Sequence, residues 1–258
     1  MVTSLRFGLI WASFFLVLQS QAAAHFLVLL PSRDVALAPV ERNIEFRILF
    51  THPMEQGPVM PMGQPVRFGC QLGDQKIDLT GSLRPWTVEG QRAYRAEARL
   101  LRPGDHVFYI EPEPYWEPAE RTWILQYTKV VVNFLGAEVG WDQPVGLPVE
   151  IVPLVRPYGI WTGNVFRGLV LHEGRPVPGA TVEVEYWNQD RQVHVPNEAF
   201  VTQVVKTDSQ GVFCYSMPRA GWWGFAALVD GGKRPGPDGQ EADLELGGVI
   251  WIQTADMK

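Results

Sequence analysis

Short apolar runs separated by turn residues are the feature that most constrains the fold of this chain. The runs at residues 43–51, 106–111, 123–134, 165–171, 180–187 and 248–253 are rich in β-branched and aromatic side chains. Most are bounded by some of the 21 prolines and 25 glycines, and no long segment has a convincing helical period. Runs of this kind are typical of antiparallel strands packed face to face. We therefore predict an all-β protein made of two β-sandwich domains.

The boundary between the two predicted domains lies near residues 152–159, where Pro153, Pro157 and Gly159 follow a strand-like run. The sequence beyond it contains GRPVPGATVEVEYW and KTDSQGVFCY, in which tight turns alternate with half-buried strands. These motifs resemble the prealbumin-like or immunoglobulin-like domains. We predict an N-terminal β-sandwich domain at residues 25–155, which carries the candidate metal site, and a C-terminal prealbumin-like domain at residues 156–258. The polar stretch between residues 230 and 243 is expected to be a disordered surface loop.

The first residues have the pattern of a signal peptide. An apolar run at residues 7–18 follows Arg6 and is too short to span a bilayer as a stable helix. The segment Ala22-Ala23-Ala24 supplies the small residues that signal peptidase accepts. Cleavage after Ala24 makes His25 the amino terminus, whereas cleavage after Ala22 fits the same rule and leaves two alanines before it. Residues 1–24 are therefore predicted to be a signal peptide, and the mature protein is expected in the periplasm.

The charge of the chain argues against a nucleic acid partner, and its cysteines argue against a zinc ribbon. The chain has 22 Lys and Arg against 28 Asp and Glu, a net charge of −6, whereas phosphate binding needs a basic face. We expect no nucleic acid partner. Neither Cys70 nor Cys214 has a second Cys or His at ligand spacing, so a zinc ribbon is excluded. The two cysteines are as consistent with two buried thiols as with a disulfide.

Two histidines could supply a nitrogen chelate. A terminal His25 offers its α-amine and a ring nitrogen, and the apolar residues after it predict a buried strand that anchors this end of the chain. His52 lies at a strand end before Pro53, which holds its backbone extended. The amine and two imidazoles would form a histidine brace, which suits Cu(II) or Ni(II). In the alternative, His52 only caps a strand.

Methionine side chains near His52 leave a second metal site open. Met54, Met60 and Met62 follow this histidine closely in the sequence. Thioethers are soft ligands that bind Cu(I). Methionines in a loop rich in proline and glycine also commonly fill gaps against a core, and we keep both interpretations.

An acidic and aromatic segment follows at residues 109–120, with the sequence YIEPEPYWEPAE. Its prolines exclude a helix and a central strand, so we expect an extended segment at the edge of a sheet. Glu111 or Glu117 is a candidate metal ligand, and Tyr115 and Trp116 would line the site. Alternatively, the segment is an acidic edge that prevents sheets from associating. His106, in a turn before this segment, is expected at the surface.

No arrangement of catalytic residues is apparent in the sequence. It has no G-x-S-x-G motif, no cysteine with an evident histidine base and no glycine-rich loop that opens a helix. We therefore predict metal binding without turnover, and not an enzyme.

Several motifs in order resemble one bacterial family. They are AHFLVLLPS, LFTHP, PGDHVFYIEPEPYWEPAERTWILQYTKVVVN, PLVRPYGIWTGNVFRG and VTQVVKTDSQGVFCYSMPRAGWWGFAAL. Together they resemble the exported proteins regarded as the periplasmic component of nickel or cobalt uptake systems of the ABC or ECF type, a family otherwise labelled a domain of unknown function. The resemblance implies a divalent transition metal as cargo and an inner-membrane transporter as partner. The positions that it carries over are His25, His52, Glu111, Tyr115, Trp116, Glu117 and Glu120.

Three functional hypotheses follow. The first is a periplasmic protein that captures nickel or cobalt for an inner-membrane transporter. The second is a copper protein, either a chaperone or a monooxygenase, that uses the same histidine brace; oxidation of a polysaccharide with Cu(II) and a reductant would favour the enzyme. The third is an adhesion or scaffold module without metal, suggested by the second domain and the ten tryptophans; an exposed aromatic patch would then bind a protein or glycan.

Overall fold

The computed structural model describes residues 25–55 and 57–258 of the chain. The predicted signal peptide, residues 1–24, and both candidate cleavage sites lie outside the described residues. Within the described residues the protein contains 19 strands and three short 3-10 helices, which confirms the all-β prediction. No helix in this part of the chain is long and apolar enough to cross a membrane.

The elements follow one another in short segments, as the sequence pattern predicts. The first strands are β1 (Phe26–Pro31), β2 (Val35–Ala36), β3 (Asn43–Thr51), β4 (Arg67–Leu72), β5 (Gln75–Asp78), β6 (Arg84–Val88), β7 (Gln91–Arg99), β8 (Gly104–Glu111), β9 (Tyr115–Glu117) and β10 (Thr122–Phe134). The remaining strands are β11 (Val149–Pro153), β12 (Ile160–Trp161), β13 (Val165–His172), β14 (Arg175–Pro176), β15 (Thr181–Tyr186), β16 (Gln203–Lys206), β17 (Val212–Ser216), β18 (Gly221–Pro235) and β19 (Glu241–Ala255). The 3-10 helices are Pro39–Glu41, Thr80–Ser82 and Glu198–Phe200.

The strands form three sheets. Sheet A has the order β1-β3-β7-β6, and sheet C joins β11, β13, β14 and β17. Sheet B is an 11-stranded sheet with the order β16-β15-β18-β19-β10-β8-β4-β5 and with β2, β9 and β12 at its margins. Its centre is a parallel pair in which Val130 of β10 lies opposite Trp251 of β19. Hydrogen bonding therefore continues across the boundary predicted between residues 155 and 156, and the division into two domains remains a prediction.

The middle of sheet B is covered on both faces. On β19, Val249 and Trp251 belong to the core shared with sheet A, whereas Ile250 and Ile252 belong to the core shared with sheet C. Neighbouring side chains of a strand point to opposite faces, so one strand serves both cores. Strands buried on both faces read as continuous apolar runs, which explains the sequence GGVIWIQT in β19.

The loop expected between residues 230 and 243 is instead the end of a long hairpin, so that prediction is wrong. β18 continues to Pro235 and β19 begins at Glu241, with Lys233 opposite Asp243 after a bulge. The hairpin end is held by contacts with the neighbouring strands: the guanidinium of Arg234 lies 4.6 Å from the centroid of the Trp123 ring. Cross-strand hydrogen bonds and this stacking order the segment without large apolar side chains of its own.

His106 is buried, which corrects the expectation that it lies at the surface. It is 1% exposed within β8, between β4 and β10. Its Nε2 accepts from the Leu101 amide at 3.3 Å, and burial lowers the pKa of the ring. Both cysteines are free thiols, Cys70 buried and Cys214 exposed. Strand β8 begins at Gly104, earlier than the sequence suggested, so His106 lies within the strand and not in the turn before it.

Candidate metal-binding site

Strand β1 lies at the edge of sheet A. The backbone groups of β1 that do not pair with β3 form hydrogen bonds with side chains of sheet B. Gln126 forms two of these hydrogen bonds: its Oε1 accepts from the Leu27 amide at 2.7 Å and its Nε2 donates to the His25 carbonyl at 2.6 Å. Thr128 Oγ1 and Trp251 Nε1 each donate to the Leu27 carbonyl at 3.1 Å. Buried backbone groups need such partners. The chain is therefore fixed at the point where His25 precedes the strand.

Two glycines create the space for this anchor. Gln126 lies opposite Gly247 in the β10–β19 pair, and a Cβ on Gly247 would lie 2.7 Å from Cγ of Gln126. A Cβ on Gly224 would lie 2.9 Å from atoms of the Phe26 and Trp251 rings. Side chains at these positions would displace the residues that hold β1 against sheet B.

The structure brings His25 and His52 together, as the histidine-brace hypothesis requires. β1 and β3 pair antiparallel with Phe26 opposite Thr51, so the next position in the register places His25 opposite His52. The ring centroids are 4.5 Å apart with an angle of 54° between the ring planes. Gly57 closes over His52, since a Cβ there would lie 2.9 Å from Cδ2 of the ring. Two strand ends thus place two imidazoles side by side.

Glu117 is the predicted carboxylate that reaches this pair. Its Oε2 lies 3.0 Å from Nε2 of His25, and the two side chains are only 13% and 10% exposed. The other carboxylate oxygen, Oε1, accepts from the Ala119 amide at 2.9 Å. Glu117 is the last residue of the short strand β9, which pairs with β10. Strand pairing therefore fixes the backbone of this residue, and the amide fixes its carboxylate.

The two predicted aromatic residues lie near the histidines in different ways. The Tyr115 ring lies 6.0 Å from His25 and 5.1 Å from Phe50. Burial, followed by the charge of Glu117, raises the pKa of the Tyr115 hydroxyl. Trp116 packs instead against Trp123, with 5.2 Å between centroids. The rings of Phe50, Tyr115, Trp116 and Trp123 line a cavity of about 340 Å³, so Tyr115 borders both the histidine pair and this cavity.

The structure does not bring Glu111 to the histidines, although the sequence predicted it as a ligand. Phe108 and Ile110 of β8 face the core shared with sheet A, whereas Val107 and Tyr109 belong to a separate cluster on the other face. Alternation places Glu111 on that other face, where it forms an ion pair of 3.2 Å with Arg67. Glu111 therefore pairs with an arginine on the face of the sheet away from the histidines, and we no longer count it as a candidate metal ligand.

Glu120 lies in the turn after β9 and is exposed. Partial burial of its carboxyl and the charge of Glu117 raise its pKa. Its charge acts on two further glutamates that the sequence reasoning missed, Glu183 and Glu245, and the charge of Glu183 acts on a third, Glu185. Burial is the main cause that raises the pKa of Glu183 to about 7, that of Glu185 to about 8 and that of Glu245 to about 7. The alternation of β15 places Glu183 and Glu185 on one face of a predicted strand, whereas Glu245 lies outside the strand predicted at residues 248–253.

The side-chain donors alone are few. In the part of the chain that the structure describes, no group of three or more His, Cys, Asp or Glu side chains is arranged to hold a metal ion. The methionines do not add a thioether site, since Met60 and Met62 are buried in the core shared with sheet A and Met54 packs against the other core. A metal at this position would need the two imidazoles of His25 and His52 and a nitrogen from the backbone end.

The strands and the anchored histidine pair define the class to which this chain belongs: an all-β protein with a candidate metal-binding site. The chain belongs to the family described as Domain of unknown function (DUF4198), which it matches over residues 22–231. No curated protein sequence matches the chain.

Similar solved structures are distant. A 1.5-MDa bacterial ice-binding adhesin is 7% identical, with 90% of this chain and 66% of that chain covered and a TM-score of 0.25. Trypsin-activated α-2-macroglobulin from Escherichia coli is 11% identical, with 91% and 16% covered and a TM-score of 0.25. The fibronectin(III)-like modules of Clostridium thermocellum CbhA are 8% identical, with 90% and 97% covered and a TM-score of 0.20. The chain thus spans 66% of the adhesin and 16% of the macroglobulin. Scores at this level do not establish a shared fold or function.

Proposed function

We propose that the mature protein is a periplasmic protein that binds a divalent transition metal, nickel or cobalt, through His25 and His52 and passes it to an inner-membrane uptake transporter. The observation that carries the proposal is the 4.5 Å separation of the two rings, which are distant in sequence and meet at adjacent strand ends. The resemblance to the periplasmic components of nickel and cobalt uptake systems supports the choice of metal and partner.

The donor chemistry supports a borderline metal. Two imidazoles and an α-amine form a nitrogen set, which suits nickel, cobalt and copper better than calcium or magnesium. Signal peptidase cleavage after Ala24 would create the amine on the residue that already carries one of the rings. Processing would therefore complete the site on the exported protein and not on the precursor.

The rigidity of the site supports binding at a useful affinity. Gln126 fixes the backbone at His25, and the pairing of Phe26 with Thr51 fixes the start of the loop that carries His52. Donors that are held in place before binding lose little conformational freedom on binding. Three protein donors also leave coordination positions for water or for a ligand of an acceptor, which suits a protein that releases its cargo.

Calorimetric titration of mature protein with Ni(II) tests the proposal. We expect one site in the wild type, no binding in His25→Ala and weakened binding in His52→Ala. His172→Ala is a matched control, because this ring lies at the end of β13 in sheet C. A four-residue Gly-Ser-Gly-Ser extension before His25 keeps both rings and places the amine too far from the His25 ring to join the chelate, and should reduce affinity as strongly as His25→Ala. Equal binding by wild type and His25→Ala would contradict the proposal.

Affinity alone does not identify the cargo. Copper binds nitrogen sites more tightly than nickel or cobalt, so Cu(II) is expected to bind best in vitro. The metal content of protein isolated from the periplasm, and nickel uptake by cells with and without it, decide the matter. Copper in the isolated protein together with unchanged nickel uptake would favour the copper hypothesis.

A further inference from the structure

We propose that Glu117 is a positioning residue and not a metal ligand: it holds the ring proton of His25 on Nε2 and so directs the metal to Nδ1. This inference rests on the proposed function and reverses the prediction that the carboxylate of Glu117 joins the metal. It is carried by the 3.0 Å contact between Nε2 of His25 and Oε2 of Glu117.

The direction of this hydrogen bond follows from the chemistry of its two ends. An ionised carboxylate only accepts hydrogen bonds, so the nitrogen that faces it must carry the proton. In a neutral imidazole a proton on Nε2 leaves the lone pair on Nδ1. A metal that bound Nε2 would have to displace that proton and break the contact with Glu117.

The contact between His25 and Glu117 is shielded from water and fixed in position. Both side chains are largely shielded from water, at 10% and 13% exposure, unlike the two members of a solvated surface pair. The carboxylate is held from its other side, because its Oε1 accepts from the amide of Ala119 at 2.9 Å. Glu117 lies opposite Thr122 in the β9–β10 pair, so its backbone is also fixed. The ring of His25 therefore has one preferred orientation before any metal arrives.

The geometry of chelation leads to the same nitrogen. A metal held by the α-amine of His25 closes a small ring through Cα, Cβ, Cγ and Nδ1 of the same residue. Nε2 lies on the far side of the imidazole and cannot close that ring. The hydrogen bond to Glu117 uses Nε2 of His25 and the chelate uses Nδ1, so the two can form together. Carboxylates in this outer position orient the imidazole and raise its basicity as a ligand.

Nδ1 is also the nitrogen needed under the other cleavage site. If processing leaves Ala23-Ala24-His25, the new amine, the two following amide nitrogens and Nδ1 of His25 can surround Cu(II) or Ni(II) in a square plane. Glu117 would again accept the proton of Nε2. The role assigned to Glu117 is therefore the same for both processing sites, whereas His52 contributes a donor only in the brace.

The first test needs no metal. Long-range ¹H–¹⁵N NMR spectra of the apo mature protein, recorded where the His25 ring is neutral, should show the Nε2–H tautomer in the wild type. Glu117→Ala should show a mixture of both tautomers, and Glu117→Gln should keep Nε2–H because the amide oxygen still accepts. Glu113→Gln, a neighbouring exposed carboxylate, is the matched control and should not change the spectrum. An unchanged tautomer in Glu117→Ala would overturn the assignment.

Ni(II) titration of the same variants is the second test. Loss of an outer carboxylate costs about 10- to 100-fold in affinity, which we expect for Glu117→Ala. Glu117→Gln should recover most of that loss, whereas a carboxylate ligand replaced by an amide would not. Equal losses in the two variants, with folded proteins by circular dichroism, would show that Glu117 binds the metal directly. If the wild type itself binds no Ni(II), the proposed function fails, and the tautomer measurement still decides the positioning role.

Discussion

Gln126 is the side chain on which the position of His25 most depends, and Gln126→Met removes its polar contacts while keeping most of its shape. The residue is 2% exposed and makes two hydrogen bonds, at 2.7 Å to the Leu27 amide and at 2.6 Å to the His25 carbonyl. Leaving a buried backbone group without a partner costs about 1–3 kcal/mol. The carbonyl of His25 lies next to a partly exposed ring and can reach water, so we expect a total loss of about 2–4 kcal/mol.

Thr128→Val provides the comparison. It removes the bond from Thr128 Oγ1 to the Leu27 carbonyl, but that carbonyl keeps its bond from Trp251 Nε1. We expect a loss of about 1 kcal/mol. Urea unfolding of the two variants measures the difference, and hydrogen exchange at the Leu27 amide should accelerate only in Gln126→Met. Ni(II) affinity should also fall only in that variant. A smaller loss of stability in Gln126→Met than in Thr128→Val would refute the anchoring role.

Three further predictions concern stability. Burial raises the pKa of Glu183 from 4.5 to about 7, so folding favours the protonated carboxyl and the stability of the protein falls as the pH rises through this range. Glu183→Gln should therefore raise the midpoint of urea unfolding at pH 8 and not at pH 4. An equal rise at both pH values would contradict this prediction. Gly248→Ala should cost about 1–3 kcal/mol or more, since its Cβ would lie 2.8 Å from the backbone nitrogen of Glu150, which cannot move aside as a side chain does; an unchanged melting temperature would count against the packing. Lys129→Met should cost about 3–5 kcal/mol, because it leaves the carboxylate of Glu150, 2% exposed, without its cation; a change within error in urea unfolding would show that this pair is dispensable.

The strands were predictable from the sequence because their signals are local. Apolar runs bounded by proline and glycine located β3, β10 and β13 close to their observed positions, whereas only the second half of β19 was predicted. The two histidines were predictable for the same reason, since each lies at the end of a strand that its own neighbours define. The pairing of β10 with β19 was not predictable, because it joins residues 122–130 to residues 243–251 across the chain.

The details of the site depended on register and sheet order. Glu111 and Glu117 occupy the same acidic segment, and nothing local distinguishes them. Glu111 ends β8 on the face away from β1, whereas Glu117 ends β9 beside His25. Gln126 was also missed, since a single polar residue in an apolar strand reveals its role only when its partner strand is known. Non-local contacts therefore determined which carboxylate and which amide serve the histidines.

A crystal structure of the mature protein with Ni(II), with the metal located by its anomalous scattering, tests the central claim most directly. We expect one ion bound to the α-amine and Nδ1 of His25 and to a ring nitrogen of His52, with Glu117 still hydrogen-bonded to Nε2. An ion bound at another position, or no ion at an equimolar concentration of nickel, would contradict the account.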